Sequence, residues 1–284
     1  MNNIPPVAIG MPVYNGGNHL SRVLDSILGQ TFRDFVLIIS DNASTDNTGE
    51  VCKSYAERDA RVVYVKQMTN IGAELNFQYV FALAKSKYFM WAAADDVRSI
   101  DFLELNFNFL ENNPTYVGST CAVRFEGGGF NEVAMGDMSL SADDPYQRIG
   151  EFFRTWHANG RYYSLFRRQF ISGWKHLNGG GFLGSDWTLV THMASQGKLN
   201  RLAEGWVELG RGGVSNTTDI FARYRKRPLD WFFPFNQVTL DTLRLMRGAK
   251  LSQLLLVTVR LIRLNLMAFV GQFRMMIRRL SKGN

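Results

Sequence analysis

The sequence predicts an α/β fold, a mostly parallel sheet flanked by helices and followed by a helical amphipathic C-terminal tail. Three observations predict it. Between residues 7 and 110, apolar runs of strand length alternate with stretches of helical periodicity. Polar residues collect where the apolar runs end, as at the carboxyl edge of an open parallel sheet, where ligands bind. Beyond residue 241 there is no Asp or Glu, and long apolar runs are interrupted only by basic residues.

Taken in order, Val7-Ala8-Ile9-Gly10-Met11-Pro12 is a buried strand that stops at proline, and Val13-Tyr14-Asn15-Gly16-Gly17 is a loop. Leu20, Val23, Leu24, Ile27 and Leu28 recur at helical spacing, with Asn18 as N-cap and Gly29 near the stop. A second strand over 35–40 ends in Asp41-Asn42-Ala43-Ser44-Thr45-Asp46. This strand, helix and strand form one right-handed βαβ unit. A helix over 48–58, a strand over 61–65, the turn Asn70-Ile71-Gly72 and a helix over 73–84 repeat the pattern. The run over 88–94 is apolar without alternation and ends in Asp95-Asp96. Two acids at a strand end offer a site for a hard divalent cation such as Mg²⁺ or Mn²⁺; a solvated loop or helix cap is the plainer reading of the pair alone. No glycine-rich phosphate loop occurs at any of these turns.

A helix over 103–110 closes at Asn112-Asn113-Pro114, and a strand covers 117–125. Residues 127–145 have the composition of a loop over a site. The segments 152–156 and 161–168 are aromatic and basic. Gly184-Ser185-Asp186-Trp187 opens a helix over 187–195.

Composition bounds the function. With 46% hydrophobic and 20% charged residues, the 284-residue chain can bury a large core and is not a disordered sequence. Cys52 and Cys121 match no metal or disulfide spacing. The four histidines show no paired ligand spacing. Met1-Asn2-Asn3-Ile4-Pro5-Pro6 lacks a basic n-region and an apolar h-region, so no secretory signal and a cytoplasmic location are expected. Nine of the 32 Lys and Arg lie in 242–284, which leaves 23 basic against 25 acidic residues before them. A slightly acidic body with a basic tail argues against a nucleic-acid groove and for an anionic surface met by the tail.

Five motifs in register, Pro12-Val13-Tyr14-Asn15, Gln30-Thr31-Phe32, Asp41-Asn42-Ala43-Ser44-Thr45-Asp46, Asn70-Ile71-Gly72 and Asp95-Asp96, resemble the family 2 glycosyltransferases of the GT-A fold over about the first 110 residues. The resemblance implies a glycosyltransferase domain over 1–225, with a nucleotide-sugar-binding half (1–110) and an acceptor and catalytic half (111–225), before a tail over 226–284. It implies an inverting transfer from a nucleotide-sugar, by family weight a UDP-sugar. Pro12, Tyr14, Asn15, Asp41, Asn70, Gly72 and Asp95 then belong to the donor site, with Tyr14 stacked on the base, Asp41 bonded to it and Asp95 on the ribose. Asp96 falls on the metal position for Mn²⁺ or Mg²⁺. Many relatives carry another acid where this chain has Ala93, and a His in the stretch resembling 207–215, where Arg211 stands instead. Asp186 sits where the family keeps its catalytic base, although an acid there also reads as a helix cap. Arg167, Arg168, Arg211 and Trp187 are candidate contacts to the acceptor or a diphosphate.

In the tail, charge-free stretches of about ten residues are too short for a span of roughly 20. At helical spacing Gln253, Arg260, Arg263, Arg274 and Arg278 share one face, the pattern of a helix lying in an anionic membrane interface. The aromatic segment 227–235 suits a headgroup-level anchor. A docked helix or a homo-oligomer contact fits the same pattern. The expectation is a peripheral protein on the inner face of the cell membrane with a glycan or polyprenyl-diphosphate-linked acceptor. Two rivals remain at this level: a sugar nucleotidyltransferase, which wants a glycine-rich basic first loop, and a non-catalytic membrane scaffold on a transferase fold.

Overall fold

The structure, a computed structural model, describes residues 4–177, 181–212 and 220–281. Strands β1 (Val7–Val13), β2 (Phe35–Asp41), β3 (Val62–Lys66) and β4 (Tyr88–Trp91) run parallel, with β1 at the centre of the four. Helices α1 (Gly17–Leu28), α2 (Thr48–Arg58) and α3 (Ala73–Leu83) make the crossovers. On α1, Leu20, Val23, Leu24 and Ile27 are fully enclosed, each contributing roughly 1.5–3 kcal/mol of apolar burial. The expected cap at Asn18 is displaced, because α1 starts at Gly17 with Gly16 in the cap position, two residues earlier. Its first N–H groups are taken from the next loop, Gly16 N donating to Thr48 Oγ1 and Gly17 N to Asp46 Oδ2. A Cβ on Gly17 would lie 1.8 Å from Asn47 Oδ1, so the two loops meet only because glycine stands there.

The second half adds antiparallel pairings to the parallel ones, so the sheet is mixed, with four parallel pairings and three antiparallel. After β5 (Val97–Arg98), α4 (Phe102–Asn112) and β6 (Tyr116–Phe125), the short β7 (Leu165–Arg167) enters antiparallel between β4 and β6. The long β8 (Lys198–Leu209) then lies parallel to β6 and antiparallel to β5, giving the order β3-β2-β1-β4-β7-β6-β8-β5. Val207, Glu208 and Leu209 therefore belong to the last strand rather than following it. The expected loop over 127–145 is partly ordered: it holds α5 (Glu132–Met135), and Leu140 bridges to Leu199. The buried Asp137 carboxylate fastens it by accepting from Val123 N and Arg201 Nε.

Between β6 and β8 the chain also forms α6 (Pro145–Phe152), a 3₁₀ turn (Gly160–Tyr163), α7 (Arg168–Ile171) and α8 (Ser185–Gln196). The remaining helices are α9 (Ile220–Tyr224), α10 (Leu229–Phe232), α11 (Asn236–Leu245) and α12 (Leu251–Ser281). The last two join the body's own core. Val238, Met246, Val257, Leu261, Leu264 and Ala268 pack in one cluster with Phe152, Trp187 and Leu189. Two members of the expected polar stripe turn inward, Gln253 to Asp144 and Arg260 to the Gly150 carbonyl. The outward face carries Leu255, Val259, Ile262, Leu266 and Phe273. By length and composition alone Leu251–Ile277 could cross a membrane, with Arg260, Arg263 and Arg274 lying within it.

Candidate active site

The loops after β1, β2 and β3 bring the donor-site candidates to the carboxyl edge of the parallel strands. Pro12 is enclosed in β1, opposite Ser40, and holds Tyr14 just beyond the strand end with half of its surface free. Asn15 adopts a left-handed backbone (φ 51°) and is stitched to the second loop: its N donates to Ser44 Oγ and its Oδ1 accepts from Thr45 N. Asp41 is fully buried, with Oδ1 accepting from Ser44 N and Oδ2 from the Tyr64 hydroxyl. That bond and burial push the Tyr64 phenol above its ordinary range. Asn70 Oδ1 accepts from Asn42 Nδ2 and Gly72 N, and Gly72 (φ 86°) turns the chain into α3. Asparagines tolerate this backbone region, but Ala43 (φ 60°) has no such excuse, and its strain sits at the same edge.

Asp95 and Asp96 follow β4 and meet the loop after β8. Gly210 N donates to Asp96 Oδ1 and Gly212 N to Asp95 Oδ2, each at 3.0 Å. A Cβ on Gly210 would fall 2.4 Å from the Asp95 carboxyl carbon, so this approach requires glycine. Asp96 is 2% exposed, and burial lifts its carboxyl pKa to about 7 against the pull of the Arg98 guanidinium. Asp96 Oδ2 is buried without a hydrogen-bond partner among the described residues. An orphaned buried carboxylate oxygen beside a second carboxylate suits a hard cation that takes its other ligands from phosphate and water. Among the described residues no third acid, His or Cys joins them to complete a metal cluster.

Asp186 lies in the first turn of α8, which starts from Gly184 in a left-handed conformation (φ 80°) against Phe235. Its Oδ2 accepts from Asn159 Nδ2 at 2.8 Å. Burial raises its pKa, and the Asn159 amide and the α8 backbone N–H groups offset part of that rise. Burial thereby makes the ionised carboxylate a stronger base than a solvated aspartate. Asn159 has φ 55°, and its own N donates to His157 Nδ1. His157 lies flat on Trp187, with ring centroids 4.4 Å apart, and burial drops its pKa to about 3, so it stays neutral with Nε2 donating to the Phe152 carbonyl. Burial pushes the Tyr163 phenol well above its ordinary range, and the charges of Asp96, Asp95 and Asp186 add to that rise.

The other candidates are dispersed. Arg167 pairs with Tyr88 at the start of β4, the end of the sheet away from Asp95, and donates to the Tyr116 and Leu110 carbonyls and the Tyr88 hydroxyl. Arg168 covers the Phe81 ring. Neither reaches the crevice. Arg211 is exposed, follows the Gly210 contact and donates to the Glu126 carbonyl; Gly213, Val214 and Ser215 lie outside the described residues. Trp187 is buried rather than presented to solvent. Sequence reasoning missed Asn159, Arg98 and Gly210. The Asn159-Gly160 dipeptide marks a left-handed turn, which was the available signal for the first; nothing local marks the other two.

The chain matches known proteins in sequence and in fold. The family model described as glycosyl transferase family 2 matches residues 8–173, more than half of the chain. An uncharacterised glycosyltransferase of Methanocaldococcus jannaschii is 32% identical over 111 residues, which is 38% of either chain. Glycosyltransferase GlyA of Streptococcus pneumoniae is 32% identical over 98 residues, 34% of this chain and 14% of its own. These matches thus span well under half of the curated relatives' length. Among solved structures, Staphylococcus aureus TarS 1-349 superimposes with a TM-score of 0.64 at 13% identity, covering 90% of this chain and 70% of its own, and it has also been solved with UDP and with UDP-GlcNAc. The mannosyltransferase PcManGT of Pyrobaculum calidifontis, solved with GDP-Man and Mn²⁺, gives 0.53 at 16% identity over 91% of this chain and 80% of its own. The strand-end carboxylates, the stitched loops of the first half and the extent of the family match lead to one conclusion: the chain belongs to glycosyl transferase family 2.

Proposed function

We propose that this protein is an inverting glycosyltransferase that moves a sugar from a nucleotide-sugar, a UDP-sugar, to a hydroxyl of a glycan or lipid-linked acceptor in cell-surface glycan synthesis. The observation that carries the reading is the Asp95-Asp96 pair at the end of β4, fastened to the loop after β8 with Asp96 Oδ2 buried and unpartnered among the described residues. In this reading Tyr14 covers the base and Asp95 holds the ribose, while Asp41, enclosed and bonded to Ser44 N and the Tyr64 hydroxyl, fixes the loop at the base site rather than reaching the base itself. Asp96, with Asp95 beside it, would hold Mn²⁺ or Mg²⁺, which when bound neutralises charge on the departing diphosphate. Asp186 takes the acceptor proton as the hydroxyl oxygen bonds to the anomeric carbon and the bond to the diphosphate breaks. The nucleoside diphosphate leaves with that electron pair, from the face opposite the attack. Its raised pKa suits it to hold that proton, and Asn159 leaves Oδ1 free to receive it.

The tail supports a location at the inner face of the cell membrane. The outward face of α12 is apolar, and Phe232 and Phe233 are exposed next to it, with Phe232 stacked on Phe269 of α12. Asp186→Asn is the test of the reaction. It is expected to lower transfer by about 10²–10⁴ while a thermal shift with UDP and Mn²⁺ persists. Transfer near the wild-type rate would remove Asp186 from the role.

A further inference from the structure

Where α12 crosses the turn after α6, it leaves a cleft walled by Trp156, Trp187 and Leu264 and rimmed by Arg154, Arg260 and Arg263. Three features of this cleft have no use in the reaction as described above. Among the described residues none of the three arginines forms an ion pair. Arg260 is half-buried and is repelled by Arg154 more than it is attracted by Glu151. Its one hydrogen bond, to the Gly150 carbonyl, fixes the guanidinium at the rim without neutralising it. Like charges gathered at a partly desolvated site raise the free energy of the empty cleft, and an anion of more than one charge relieves it.

The walls and the surroundings narrow the chemistry of that anion. Trp156 is 43% exposed and packs on Trp187 and Phe235, giving an aromatic wall with one open side. The exposed face of α12 continues from the cleft as an apolar strip, with Leu256, Val259, Ile262 and Leu266 open to solvent. A soluble anion would use the arginines and leave that strip uncovered; an amphiphile uses both. The cleft takes Trp187 from the first turn of α8, the turn that also carries Asp186. A head group fixed between Arg154 and Arg263 would therefore lie against the helix turn that carries the base.

We infer that this cleft binds the phosphate or diphosphate head of a lipid-linked acceptor, whose apolar tail runs along the exposed face of α12. The inference rests on the reading of Asp186 as the base only for the word acceptor; binding itself is independent of it. The sequence placed the acceptor diphosphate at Arg167 and Arg168, which the fold uses to tie β7 to β4 and to cover Phe81.

The test uses the full chain in detergent with farnesyl diphosphate as the probe, in EDTA so that no ion assists binding at the donor site. Farnesol and inorganic diphosphate are the two controls. Farnesyl diphosphate is expected to bind at least about tenfold tighter than either control. Arg154→Ala with Arg263→Ala, both exposed and unpaired, is expected to weaken it by on the order of tenfold or more, while leaving farnesol binding and the UDP thermal shift intact. Unchanged affinity in this double variant overturns the site. Inorganic diphosphate binding as tightly as farnesyl diphosphate overturns the lipid assignment. Asp186→Asn separates the two claims: retained probe binding with lost transfer supports both, whereas retained binding with retained transfer removes the base and leaves the cleft.

Discussion

Replacing Asn159 tests the base through a residue that touches neither substrate. Asn159 Nδ2 donates to Asp186 Oδ2 at 2.8 Å, and the residue is 2% exposed, so no water stands ready to replace it. Asn159→Gly is the informative change, because glycine keeps the left-handed backbone (φ 55°), whereas alanine would add about 1–2 kcal/mol of strain. A hydrogen bond to a charged group contributes about 1.5–3 kcal/mol, which bounds the loss of correctly oriented carboxylate to roughly 10–150-fold. Two effects should appear together. The amide favours the ionised carboxylate, so its removal raises the Asp186 pKa further and moves the acid limb of the kcat/KM profile to higher pH. Above that limb the protonation loss is recovered, and a lowered plateau remains from the freed rotamer. The assay is initial-rate transfer over a pH series, with UDP binding measured beside it. A profile superposing on the wild type, in both limb and plateau, would refute the positioning argument.

Further outcomes follow from individual contacts. Asp186→Asn should also raise the thermal midpoint near neutral pH: a carboxyl whose folded pKa exceeds its unfolded value contributes stability below the unfolded pKa and loses it as pH rises through the folded one, so removing the charge relieves the folded state. An unchanged midpoint would mean that the carboxylate is not desolvated. Gly210→Ala should displace the Asp95 carboxyl it would meet at 2.4 Å, costing about 1–3 kcal/mol and weakening the metal-dependent UDP shift; a fully retained shift would show that the loop after β8 gives way freely. Tyr64→Phe leaves Asp41 Oδ2 without its hydroxyl donor and should cost about 1–3 kcal/mol in urea unfolding. Ile262→Glu with Leu266→Glu, both outward on α12, should abolish flotation with phosphatidylglycerol vesicles without altering the far-UV spectrum, and persistent flotation would place the membrane contact elsewhere.

What was legible in the sequence follows the length of each signal. The strands β1 to β4 and the helices between them announce themselves by uninterrupted apolar runs and by Leu20, Val23, Leu24 and Ile27 at helical spacing. Their polar ends, Asp41 and Asp95-Asp96, could be placed at one edge for the same reason. The two strands that make the sheet mixed, β5 and β7, are two and three residues long, too short to carry periodicity. The tail misled in a different way. Its arginines mark a stripe by spacing alone, but which side of a helix meets the body depends on partners far away in sequence. Here Arg260 meets the Gly150 carbonyl and Gln253 meets Asp144.

The donor and acceptor sides of the crevice are built on different physical terms, and this decides where substitutions will act. On the donor side the loops are bonded to one another: Asn15 to Ser44 and Thr45, Gly17 to Asp46, Asn42 to Asn70 and Ile71. Ordering entropy has been spent there in folding, so under the proposed reading a nucleotide would meet loops already fixed. Two left-handed non-glycine residues, Asn15 and Ala43, lie in these loops, and the cross-loop bonds hold them in place. On the acceptor side Asp186 depends on a single side-chain partner, Asn159, which itself hangs on His157 and the stack with Trp187. A change at Ser44 or Asn70 removes one bond of several and should register first as lost stability. A change at Asn159 or His157 removes the one side-chain support of Asp186 among the described residues and should register first as lost rate.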